Sequence, residues 1–259
     1  MKNCFIKNLI NWKLFFILVI ACLITSFLVL PYALELTSSD GETTAAGLLF
    51  LAIQNLVLFT VVVFLGLLLS GRVGMGLPIL QGALEGTDQT KVLKSTITPS
   101  VIWGVLAGVL ILLFSLPFNA LIPELASEAA APAVWKGFLA SFYGGIAEEV
   151  LLRLFVVSLI VWITFKIKKT ADGRPTNFGV WLSIVLASIL FGIGHLPATA
   201  EIVPLTTLVV IRAILLNGIG GIIFGWLYWK KGLESAIIAH FSADIVLHVI
   251  TPAVLLLFQ

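Results

Sequence analysis

Long apolar runs, rather than alternating positions, dominate the chain. Seven can be read, at residues 14–32, 45–70, 99–118, 134–165, 178–196, 205–229 and 233–258. Each is long enough to cross roughly 30 Å of hydrocarbon at about 1.5 Å per residue. A membrane β-barrel would instead alternate in period two, and no such pattern occurs. The pattern predicts an all-α fold: a polytopic transmembrane helical bundle of about seven spans. The first run follows Lys2, Lys7 and Lys13, as a secretion signal would, and Val19-Ile20-Ala21-Cys22 resembles a lipoprotein cleavage box. Its apolar stretch continues through Leu30, whereas a processed signal has a short core and then turns polar, so a retained helix is expected.

Composition agrees and excludes other classes. Of 259 residues, 60% are hydrophobic and 11% charged, against roughly 25% charged in a typical soluble domain. Mean hydropathy is +1.14. A soluble enzyme, a nucleic-acid binder and a disordered chain are all incompatible with so few polar side chains. Cys4 and Cys22 are too few for a disulfide framework.

The net charge of +2 carries less information than its distribution. Basic connections (Lys2, Lys7 and Lys13; Arg72, Lys91 and Lys94; Lys166, Lys168, Lys169 and Arg174; Lys230 and Lys231) alternate with acidic ones (Glu35, Asp40 and Glu42; Glu124 and Glu128; Glu201). Lysine and arginine stay cytoplasmic in short loops, which places the N-terminus inside and the C-terminus outside. The expected setting is a multi-pass protein of a bacterial-type cell membrane. Its partners are the bilayer and a membrane-anchored peptide or protein, with no nucleic acid.

Ionisable residues inside these spans call for a reason, because a charge at mid-membrane costs at least ~2.5–3.5 kcal/mol on insertion scales. Glu148, Glu149 and Arg153 fall in the middle of the fourth span. At about 100° per residue the two glutamates point apart, while Glu149 and Arg153 stack at i,i+4. Arg153 is then the organiser that neutralises Glu149, and Glu148 is the freer carboxylate. Glu148 also extends a small-residue line through Ala140 and Gly144, which leaves room beside it for a helix, water or a substrate chain.

His195 closes the fifth span, and His240 and Asp244 share a face of the seventh. His248 continues that face and reads as packing. Arg212, Asn217 and the glycines Gly218, Gly220, Gly221 and Gly225 of the sixth span suggest close helix approach, with Arg212 a counter-ion of unassigned partner. Two carboxylates and two histidines within the membrane are the ingredients for activating water at a carbonyl. No serine elbow, phosphate loop or HExxH spacing accompanies them.

The motifs Glu148-Glu149-Val150-Leu151-Leu152-Arg153, Phe191-Gly192-Ile193-Gly194-His195 and His240-Phe241-Ser242-Ala243-Asp244 resemble the three-part EExxxR, FxxxH and HxxxN/D signature of the CPBP intramembrane proteases, the CAAX protease and bacteriocin-processing (Abi) family. The stretch from Gly225 to His240 resembles that family's lead into its third motif. Two positions depart: Leu152-Arg153-Leu154 stands where Phe-Arg-Gly is frequent, and Asp244 where many members have Asn.

The resemblance implies an intramembrane endopeptidase acting on membrane-anchored substrates such as prenylated CAAX proteins. Residues 1–133 would be scaffold helices and 134–259 the catalytic core. In that reading Glu148, helped by His195, activates water, and His240 with residue 244 stabilises the oxyanion. Glu149 completes the catalytic set, and Arg153 and Phe191 support it. Glu148, His195 and His240 would also make a chemically reasonable zinc set with a fourth position for water, so a divalent metal is an open option beside a metal-free glutamate base. An ion- or proton-coupled carrier using Glu148, Glu149 and Arg153, and a non-catalytic immunity or scaffold protein, are the competing classes.

Straight helices would set these residues at different depths, with His195 near the outer face and His240 nearer the inner. A tilted seventh span, a kink or an inward lysine loop would have to bring them together.

Overall fold

The computed structural model describes residues 10–36, 44–122 and 132–258. Lys2, Cys4, Lys7, Asp40, Glu42, Glu124 and Glu128 lie outside the described residues. Seven helices are long and apolar enough to cross a membrane: Trp12–Leu36, Ala45–Val73, Thr90–Leu121, Val134–Ile167, Asn177–Ala200, Thr207–Lys231 and Leu233–Leu256, hereafter spans one to seven. Among the described residues the only β pairing is a single bridge, Lys169 to Pro175. The protein is therefore an integral, multi-pass, all-helical membrane protein.

Local chemistry sets the helix starts. Asn11, Thr44, Thr176 and Thr206 each accept, on the side-chain oxygen, the N–H three residues on. These bonds satisfy donors that the first turn leaves free. Span one breaks at Val29, where Leu28 ends one helix and Leu30 starts the next. Pro31 has no N–H to continue the ladder.

Span three begins at Thr90, well before the expected start at residue 99, and carries Pro99 inside it. Pro99 offers no N–H to the carbonyl of Ser95, one turn earlier. Lys231 supplies the missing donor, its Nζ lying 3.3 Å from that oxygen. The lysine connection between spans six and seven is thereby drawn level with the second turn of span three. Gly232 turns the chain at φ 96°, and a Cβ there would strike Pro78. The N–H of Leu233 bonds to the Gly76 carbonyl at 2.8 Å. These contacts fix where span seven starts against spans two and three.

Spans three and seven run parallel along facing small residues. Ser100 meets Ser235 hydroxyl to hydroxyl at 2.7 Å. Gly104 lies against the backbone of Ala239, and Gly108 against Ala243 and Val246. Small residues one turn apart on both helices allow this approach where lipid supplies no hydrophobic drive. Spans five and six pack antiparallel in the same way, with Gly221 against Ser188 and Gly225 against Ile184, as the glycines of span six led one to expect. Large apolar side chains such as Phe16, Ile20, Phe50 and Val57 face outward, as a hydrocarbon solvent requires.

Candidate active site

Span four is not a plain α-helix where the first motif lies. Its hydrogen bonds widen to i→i+5 over Tyr143–Glu148 and again over Val150–Val157, with Glu149 between. Such widened turns are rare and concentrate at functional sites. The consequence is visible in the two glutamates. Glu149 is fully buried and Glu148 keeps about a fifth of its side chain exposed. Both nonetheless reach one imidazole: His240 Nδ1 is 2.7 Å from Glu149 Oε1, and His240 Nε2 is 3.7 Å from Glu148 Oε2.

Glu149 is held in turn. Arg153 Nη1 donates to the same Oε1 at 2.7 Å, and Nη2 donates to the Gly221 carbonyl at 3.2 Å. The guanidinium lies 5.2 Å from the Phe191 ring and 5.4 Å from Phe224, a buried cation over two aromatic faces. The i,i+4 pair expected from the sequence is present. The bond from Glu149 to His240 was not foreseen. A carboxylate can only accept, so Nδ1 carries hydrogen, and Nε2 faces Glu148 and Asp244. Phe224, which no motif contains, stacks on His240 at 4.6 Å between ring centres.

Asp244 Oδ1 stands 3.7 Å from His240 Nε2. Its other oxygen occupies the space a Cβ on Gly144 would need, so the small-residue line beside Glu148 is filled by span seven. Gly137 meets the His248 backbone in the same interface.

His248, expected to be packing, lines the cavity. Its Nδ1 lies 3.0 Å from the Tyr32 hydroxyl, and its Nε2 is 4.0 Å from Asp244. His195 Nδ1 is 2.9 Å from the Phe191 carbonyl. A carbonyl only accepts, so Nδ1 carries hydrogen, and Nε2 makes no hydrogen bond among the described residues.

These groups surround one cavity of about 330 Å³, which Glu148, His195, His240, Asp244 and His248 all line. Glu149 and Arg153 stand behind the wall. Val29, Tyr32 and Leu36 of span one and Ile111 of span three also line it, so the spans read as scaffold contribute surface to the cavity. Its walls come from the ends of the spans farthest from the lysine-rich connections.

Among the described residues no group of three His, Cys, Asp or Glu side chains is placed to hold a metal ion. Glu148 is within 4 Å of His240 but not of His195.

Residues 130–246 match the family model described as type II CAAX prenyl endopeptidase Rce1-like. No curated protein and no solved structure gives a match.

Proposed function

We propose, from the premise that this chain belongs through residues 130–246 to the Rce1-like type II CAAX prenyl endopeptidase family, that it hydrolyses peptide bonds of membrane-anchored proteins or peptides in its intramembrane cavity. The observation that carries this reading is the convergence of Glu148, Glu149, His240 and Asp244, from two spans, at one cavity that His195 also lines. A part-buried carboxylate such as Glu148, with no lysine or arginine in salt-bridge reach among the described residues and beside an imidazole fixed in orientation, suits proton transfer.

Glu148 takes a proton from water as the water oxygen attacks the scissile carbonyl carbon. His195, with Nε2 free, holds that water from the other side. The carbonyl oxygen becomes an oxyanion beside residue 244 and accepts from Nε2–H of His240, which as an imidazolium among Glu148, Glu149 and Asp244 carries hydrogen on both ring nitrogens. Donors placed there lower the barrier by about 3–4 kcal/mol each in comparable sites. Glu148 then returns the proton to the departing nitrogen as the C–N bond breaks, releasing a new carboxyl terminus and a new amine. Glu149 and Arg153 do not react. They hold His240 at one angle, Glu149 accepting its Nδ1–H, as an orienting carboxylate does in other His-dependent sites.

The test is purified protein in proteoliposomes, incubated with a library of membrane peptides and followed by mass spectrometry. Glu148→Gln preserves size but cannot accept the proton, so it should fold and abolish the new termini that wild type produces. Turnover by that variant near the wild-type rate would sink the assignment of Glu148. No cleavage by wild type across the library would sink the enzymatic reading.

A further inference from the structure

Among the described residues that line the cavity, Arg212 is the one lysine or arginine. It is half-buried, and its Nε is shut off from solvent without a hydrogen-bond partner. Among the described residues it forms no ion pair, and the carboxylates on the same wall, Glu148 and Asp244, are not within salt-bridge distance. A half-buried cation on a cavity wall that no described carboxylate compensates is suited to binding an anion.

Its position says where that anion sits. Arg212, Leu216, Gly220 and Phe224 line the cavity at successive turns of span six, and Phe224 stacks on His240. The climb from Phe224 to Arg212 is about 18 Å along the helix, a length that roughly five residues of extended chain would cover.

We propose that Arg212 binds a carboxylate of the substrate, within about five residues of the scissile bond, and so selects substrates by charge. This deepens the hydrolase reading and rests on it for the word substrate. The carboxylate has two possible sources, a free chain terminus or an acidic side chain. Either would be drawn to Arg212 and repelled from the end of the cavity where Glu148 and Asp244 stand. A substrate held this way is fixed in direction, with its anionic end at the start of span six and its scissile carbonyl at His240.

Equilibrium binding tests this without turnover. Three fluorescent membrane peptides of one sequence would be measured by anisotropy against protein in zwitterionic nanodiscs. One ends in a free carboxylate, one in an amide, and one in an amide with a glutamate within the last five residues. Wild type should bind at least one carboxylate peptide about 10–100-fold more tightly than the plain amide, and which one identifies the source. Arg212→Gln should bind all three alike, and Arg212→Lys should recover part of the preference. Equal binding of all three to wild type, as when a lipid phosphate occupies the guanidinium, overturns the proposal. So does a preference that survives Arg212→Gln. Charge preference without any cleavage would instead count against the hydrolase reading alone, and cleavage without charge preference would count against this proposal alone.

Discussion

An alanine methyl at position 144 would meet the Asp244 carboxylate and come within 3.1 Å of His240 Nε2. Gly144→Ala should therefore displace the two groups proposed to face the oxyanion while leaving the surrounding helices intact. We expect a loss of cleavage of about 10²-fold or more with a melting temperature close to wild type. A fully active Gly144→Ala protein would show that Asp244 and His240 need not hold their present positions.

At residue 244 the charge matters more than the size. An ionised carboxylate would repel a developing oxyanion, whereas an amide donates an N–H to it. Asp244→Asn should retain cleavage and Asp244→Ala should lose about 10²–10³-fold. Activity lost in both would assign Asp244 to another task. Glu149→Ala should cost about 3–5 kcal/mol of stability, because it leaves the Arg153 charge buried without its acid. A melting temperature equal to wild type would argue against that account.

At the scale of helices, much of the site was legible and some was not. The three motifs, the Glu149–Arg153 spacing and the small-residue line through Gly144 could be read directly, because helical periodicity fixes which residues share a face. The shared contact of Glu148 and Glu149 with His240 could not. It depends on i→i+5 turns, which have no reliable sequence signal, so the α-helical angle led to carboxylates that point apart. Phe224 and Tyr32 were hidden for a different reason: their roles arise from packing between distant spans.

The parallel approach of spans three and seven did leave a trace. Ser100, Gly104 and Gly108 stand opposite Ser235, Ala239 and Ala243, and both series recur every four residues. Gly104→Ile should push span seven away through the Ala239 backbone and lower both stability and activity. Gly218→Ala, at a position with open space around it, is the matched control and should leave both unchanged.

For the whole molecule, the lysine-rich connections lie at the opposite end from the cavity walls. If those lysines face the cytoplasm, as charge bias favours, the cavity is approached from the other side. In a background lacking Cys4 and Cys22, Ala198→Cys should react with a membrane-impermeant maleimide on intact cells. Asp172→Cys should react only after permeabilisation. Both positions are exposed, so accessibility to the reagent reports sidedness, and the reverse pattern would invert the topology.

The hydrogen bond between Tyr32 and His248 joins the first helix to the last across the cavity rim. Neither partner lies within the stretch 130–246 that carries the family match. A fragment cut to those borders would keep every acid and base assigned to catalysis, yet one side of its reaction chamber would be acyl chains. Hydrocarbon there would compete with water for the space beside Glu148, and the fragment would bind substrate without the reagent that cleaves it. The N-terminal helix is in this sense part of the water supply, and supplying residues 1–129 as a separate chain to a core that runs through His248 should restore hydrolysis.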